Sequence, residues 1–528
     1  MAFNWFLVIV TVVVAILTLA LSVYLIVIYQ HPEDKNQAWF PKLVVLLGFS
    51  VAIWTVLLFP LDVANNQACT LDIPLSSCST TFPMKQLWWA IYITNIVITF
   101  VLVPFSIFFY EADSDTPIAK RWLSGFLWAL GTFAVIALII SIPYAVAGYA
   151  EFPVQGAWSG MISVNYVETL PWSRCVGLFA NYDTTSPNNP PKLNSTLVQV
   201  GYACNTKINQ LSENLTMRVS YITYAMCIYA TVGWLLFMVF GAIGLVALPL
   251  DWIRQFIGRP TKTITKSEYI ARARDIARRA KDIRQLAEVL KREEREQGKG
   301  RRWRKNFRAL QNQMLLLEED EEQLELVYPQ SEDPDYKWAV TVMMFYVKFI
   351  LGLISLGISI TWVVQVILYV LIDPPASPFL NEAFVRANDV FTLFGTLLFG
   401  IWCFYLQLAV IKGNFKFGLN LLIFKVHPMR PGATIMSSFL FNIALILLAT
   451  TATIQFCSVA FAQYADGTEI LNIFGNQLTH IRGIKYLYTE NIFIYCWLGF
   501  IGLTLIWLII KGPDAWKRHK VEDAYAMD

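Results

Sequence analysis

Charge is what this sequence has least of. Only 15% of its 528 residues are Lys, Arg, Asp or Glu, whereas 56% are apolar and 15% aromatic. An average soluble domain carries roughly 25% charged residues, and here even the small share is unevenly spread. Residues 251–337 hold 20 Lys/Arg and 17 Asp/Glu, close to half of all the charge in the chain. A soluble multidomain protein is excluded, because the rest of the chain has too little polar surface to stay in water.

Catalytic signatures are missing as well. The four histidines, His31, His427, His480 and His519, form no zinc spacing. There is no G-x-x-x-x-G-K-[ST] loop, which rules out an ordinary ATP-driven pump subunit, and no G-x-S-x-G elbow. The acidic run Glu111, Asp113 and Asp115 lacks the glycine of a calcium loop. It also follows a helix C-terminus, where the dipole disfavours acids. No catalytic residue, metal site or cofactor is expected, and the chain reads as a non-enzyme.

Long apolar runs are present instead. A helix needs about 20 predominantly apolar residues to cross the hydrocarbon core. Nine stretches qualify: 5–28, 42–60, 88–109, 123–148, 219–250, 338–371, 387–411, 433–462 and 489–510. The expected fold is an all-α polytopic membrane protein. Spans one to five fall within 1–250, with loops 61–87 and 149–218, and spans six to nine within 338–511, followed by a tail, 512–528. Trp88, Trp89, Trp122, Trp338 and Trp507 suit an interfacial aromatic belt. The first span has no basic residue before it and no small-x-small site after it, so it reads as an uncleaved anchor.

With the N-terminus outside, the segments facing the cytoplasm hold 32 Lys/Arg and the opposite segments 8. Four cysteines, Cys227, Cys403, Cys457 and Cys496, fall in spans as apolar fillers. The others, Cys69, Cys78, Cys175 and Cys204, all lie outside, and the within-loop pairs Cys69–Cys78 and Cys175–Cys204 have the shortest closures. Loop 149–218 also carries two glycosylation acceptors, Asn194 and Asn214. Charge, thiols and acceptors place the same face in an oxidising lumen or outside the cell.

Residues 251–337 predict a cytoplasmic antiparallel helical hairpin. Ala273, Ile276, Ala280, Ile283, Ala287 and Leu290 alternate spacings of three and four, as do Trp303, Phe307, Leu310, Met314, Leu317 and Leu324. Gly298-Lys299-Gly300 breaks the two arms. The bend is basic, with Lys299, Arg301, Arg302, Arg304 and Lys305 as candidate contacts for an acidic partner or anionic lipid, or simply a solvated face. A membrane-tethered hairpin without a base-stacking platform offers nothing to nucleic acid.

Inside the spans, Lys348 is the one interior charge, either paired in the bundle or snorkelling to the interface. Gln365, Gln407, Gln455, Asn95 and Asn442 are intramembrane amides, and residues 450–458 form a polar run. Such groups glue helices together or line a wet cavity. Phe59-Pro60-Leu61-Asp62 and Leu248-Pro249-Leu250-Asp251 predict helix ends, each acid marking emergence from the bilayer.

Several strings resemble the LIMR family, the limb-region or lipocalin-interacting membrane receptor group. They are 59–65, 103–111 and 248–250 and, in the manner of plant and algal members, 29–32, 371–381, 427–429 and 482–488. The resemblance implies a nine-span protein with a large cytoplasmic loop and receptor, trafficking or escort roles. It also implies kinship with a lysosomal membrane protein tied to cobalamin export. It brings no catalytic residues. Tyr269, Tyr328, Tyr336 and Tyr525 lack the bulky apolar residue of an endocytic signal.

Two functions compete at this point. One is a receptor or escort using the hairpin and outer loops, in the plasma membrane or an endolysosomal or vacuolar membrane. Its partners would be membrane lipids, other membrane or cytosolic proteins and a lumenal or extracellular ligand. The other is a transporter, channel or lipid-handling protein using the intramembrane amides.

Overall fold

The computed structural model describes residues 5–31, 34, 39–70, 83–112, 117–155, 168–170, 202–204, 212–259, 264–297, 301–328, 334–391, 393–417, 429, 432 and 434–516. The molecule is an all-α integral membrane protein. Its first half contains α1 (Trp5–Tyr29), α2 (Trp39–Thr70), α3 (Met84–Glu111), α4 (Ile118–Ala147) and α5 (Tyr221–Ile257). A two-helix arm follows, α6 (Lys266–Gln297) and α7 (Arg301–Val327). The second half holds α8 (Pro334–Gln365), α9 (Phe379–Val390), α10 (Phe394–Phe417), α11 (Met436–Ala460) and α12 (Ile492–Trp516). Among the described residues, eight helices are long and apolar enough to cross a membrane. The predicted ninth stretch is helical too, but its apolar part, Ile492–Leu508, is shorter.

Burial separates the helices by role. The apolar window of α11 is 83% buried, against 17% for α1 and 11% for α4. A helix apolar on every side belongs in the centre of a bundle, and α11 sits there, packed by α2, α5 and α10. Its covered residues include Phe439, Ile443, Ile446, Ala449, Ile454 and Phe456. The tightest crossing joins α5 to α10. A Cβ on Gly244 would overlap the Ala409 carbonyl oxygen, and one on Gly413 the Phe240 carbonyl oxygen. Lipid chains are as apolar as the side chains they touch, so close backbone approach through small residues holds such helices together.

Two sequence expectations are overturned here. Pro60 and Pro249 do not end their helices: α2 runs on to Thr70 and α5 to Ile257. Asp62 is 1% exposed and does not mark emergence. The physical reason is visible at Pro249, which lacks the N–H that the Leu245 carbonyl needs four residues earlier. Ser359 Oγ of α8 donates to that carbonyl at 2.8 Å and lies 2.6 Å from the Tyr405 hydroxyl of α10. A neighbouring helix thus repairs the gap, and the helix continues. Trp88 is likewise no belt residue: it is fully buried and donates to Asp62.

At the end of the bundle opposite the arm, β1 (Tyr149–Gln155) and β4 (Ser212–Arg218) pair antiparallel, from Tyr149 opposite Arg218 to Gln155 opposite Ser212. Within the same connection, β2 (Glu168–Leu170) pairs parallel with β3 (Tyr202–Cys204). The apolar-run pattern gave no sign of these strands.

Candidate functional site

Polar groups inside the bundle converge on α11. Gln407 Nε2 donates to Thr450 Oγ1 at 2.7 Å, and Trp234 Nε1 to Gln455 Oε1 at 2.8 Å. Gln365 Nε2 reaches the Ala460 carbonyl at 2.9 Å. Asn442 Nδ2 bonds the Ser438 carbonyl, while Asn414 Nδ2 reaches the Asn442 carbonyl at 3.3 Å. Gln365, Gln407, Asn442 and Gln455 all have no measurable exposure. Asn95 joins α3 to α2 through Thr55 Oγ1, and Thr99 meets the Tyr229 hydroxyl at 3.0 Å. Most of these bonds tie one helix to another, which is the glue reading of these amides.

Not every lone pair is used. Gln365 Oε1, Gln407 Oε1, Asn95 Oδ1, Asn414 Oδ1 and Thr451 Oγ1 are buried without a protein partner. An unsatisfied buried acceptor costs about 1–3 kcal/mol, which a buried water or a polar ligand would relieve. Lys348 stands apart from this group. It lies on α8, partly exposed, with Nζ 5.5 Å from the ring centre of Phe345 on its own helix.

Carboxylates fix the ends of the bundle; sequence reasoning passed over Asp34 and read Asp62 and Asp251 only as marks of emergence from the bilayer. Asp34 accepts from the Tyr110 hydroxyl at 2.9 Å and from the Met436 backbone N–H at 3.2 Å, so it caps the start of α11. Lys42 donates to the Asp34 carbonyl. Asp62 accepts from Trp88 Nε1 at 2.8 Å and the Ile470 N–H at 3.1 Å. Negative charge at helix N-termini complements the dipole. Asp251 takes both Lys412, at 3.1 Å, and Lys416, at 2.6 Å, which lie one turn apart on α10. The i, i+4 lysine spacing was a readable signal; the acid's identity needed the fold.

The β1–β4 ribbon is clasped to the segment before α12. Glu151 N–H bonds the His480 carbonyl at 2.9 Å, and Arg482 N–H bonds the Tyr149 carbonyl at 2.8 Å. Phe152 stacks on His480, ring centres 4.8 Å apart. The Glu151 carboxylate pairs with Lys485 and with Arg482 at 3.3 Å. The hydrogen bond from the Lys485 ammonium holds the Glu151 carboxyl below its ordinary range, and the same bond lifts the Lys485 ammonium above its own. The family-like string 482–488 therefore acts as a clamp, in which Arg482 and Lys485 grip Glu151 and Tyr488 reaches Thr231 of α5 at 3.3 Å.

In the arm, α6 and α7 run antiparallel. Tyr269 stacks on Tyr328, Arg279 pairs with Asp320 at 2.9 Å, and Trp303 Nε1 donates to the Leu290 carbonyl at 3.1 Å. The side chains of the basic-bend candidates Lys299, Arg301, Arg302, Arg304 and Lys305 lie outside the described residues. So do Cys78, Cys175 and Asn194, together with the side chains of Cys69, Cys204 and Asn214. Asn214 itself stands in β4, opposite Pro153.

Comparison with known proteins gives one consistent picture. The family of LMBR1-like membrane proteins matches residues 7–314 and 284–506. A LIMR family protein of Arabidopsis thaliana is 42% identical over 519 residues, covering 98% of each chain. One from Oryza sativa subsp. japonica is 43% identical over 520 residues, again 98% of each. One from Dictyostelium discoideum is 35% identical over 533 residues, 98% of this chain and 100% of its own. No solved structure matches.

Proposed function

The chain belongs to the LIMR family of LMBR1-like membrane proteins, and from that membership we propose that it serves as a non-enzymatic multi-pass receptor or trafficking escort. The observation that carries this reading is the arm, whose helices pack extensively on each other and leave large apolar side chains open. Leu286, Val289, Phe307 and Met314 are each 44–53% exposed. Two helices of 32 and 27 residues that leave such side chains exposed suit a docking platform better than a bundle element. In this reading the arm faces the cytoplasm, and the clasped ribbon presents the outer loops, disulfide-linked and glycosylated, to a lumenal or extracellular ligand. Replacing residues 264–328 with a short linker tests it. Partner recovery and membrane destination should both change; if both are unaltered, the reading fails.

The unpaired acceptors inside the bundle favour a second reading, a transporter or lipid-handling protein for a small or amphipathic molecule. Flux through proteoliposomes that falls with Gln407→Leu and Asn414→Leu would support it. Flat traces over a broad substrate panel would count against it.

A further inference from the structure

We infer that the tip of the arm is a contact site for the anionic surface of a second, facing bilayer. Charge is polarised along the arm. Residues 289–308 contain nine Lys/Arg and three Glu, whereas the rest of the two helices, 264–288 and 309–328, contains seven Lys/Arg and ten Asp/Glu. The arm is therefore an electrical dipole with its basic end remote from the bundle. At 1.5 Å per residue, α6 carries that end roughly 48 Å from the start of the helix.

The apolar side chains are distributed to match, apart from Ile270 near the base and Met314 midway along α7. On α6 the large exposed apolar residues between Ile270 and the bend are Leu286 and Val289, both towards the bend, 51% and 52% open. Phe307 of α7 is 44% open and stacks on Trp303, ring centres 5.0 Å apart. The Trp303 bond to the Leu290 carbonyl sets these residues at the same level of the arm. A partner helix laid along the arm would need apolar anchors at every turn; between Ile270 and Leu286 the large exposed apolar residues are missing from α6. Bulky apolar and aromatic groups gathered where Lys291, Arg292 and Arg295 stand exposed match an insertion into headgroups. The rest of the arm carries three more acids than bases and so gives its own anionic membrane no net attraction along its length, which leaves the facing one.

The test uses the full chain in nanodiscs of neutral phosphatidylcholine, mixed with separate vesicles and floated. Vesicles carrying phosphatidylserine should recover at least about tenfold more protein than phosphatidylcholine vesicles, and added salt should reverse the difference. Two independent variants separate the contributions. Lys291→Gln/Arg292→Gln/Arg295→Gln should remove the preference for anionic vesicles, and Leu286→Ser/Val289→Ser/Phe307→Ser should reduce recovery with the charge intact. Equal recovery on both lipids, or recovery unchanged by both variants, would overturn the inference. So would nanodiscs that pair with each other or bind polyglutamate while ignoring vesicles, which would assign the tip to a second copy or an acidic protein.

Discussion

A single hydroxyl lets α5 pass through a proline. Ser359 supplies to the Leu245 carbonyl the hydrogen bond that Pro249 cannot. Ser359→Ala should therefore lower thermal stability in detergent by about 1–2 kcal/mol. Adding Pro249→Ala should restore most of that loss, since the new N–H reaches the same carbonyl. An additive double variant in differential scanning fluorimetry would show that the two residues act separately. Glu151 and Lys485 give a second test at this scale. The Glu151 carboxyl is held below its ordinary 4.5, so its contribution is complete above that pH and disappears as pH falls through the lowered value. The Lys485 ammonium is held above its ordinary 10.5, so its share is complete below that pH and disappears as pH rises through the raised value. Amide hydrogen exchange in 149–155 should stay slow across the whole window between. In Glu151→Gln that protection should weaken within the window, and its remaining pH dependence should lose the acid limb.

Between elements, the α5–α10 crossing is the most confined contact. Gly244→Ala places a methyl group where the Ala409 carbonyl already stands, and overpacking of this kind costs about 1–3 kcal/mol. Gly357 and Gly499 have open space at the same position, so their alanine variants should melt within a degree or two of the parent. Equal melting temperatures for all three variants would contradict the close backbone approach. The glycines were plain in the sequence; which of them meets a neighbouring backbone depends on how two helices cross. The polar run on α11 was equally plain, but its partners Gln407, Trp234 and Gln365 come from three other helices, 43 to 221 residues away in sequence. The proline motifs misled for the same reason: the group that repairs Leu245 lies 114 residues away.

For the whole molecule, the reading with the N-terminus outside makes a direct prediction. Protein from a eukaryotic host should show a glycosidase-sensitive shift that Asn194→Gln removes, and a protease added to sealed vesicles from the opposite side should cut within the arm. A shift that survives both Asn194→Gln and Asn214→Gln, or an arm cut from the glycan-bearing side, would reverse the assignment. Apolar run length and scarcity of charge determined the membrane class and the approximate place of the apolar helices, because crossing a bilayer is a constraint that each segment meets locally. Yet α2 runs ten residues past the expected end at 60, and the expected span 387–411 is divided between α9 and α10. Tertiary structure alone decided that α11 is the centre, that Asp34 and Asp62 cap distant helical starts, and that Glu151 is gripped from the far end of the chain. Those outcomes depend on which polar group finds which partner out of water. That choice is made between helices remote in sequence, where no local pattern records it.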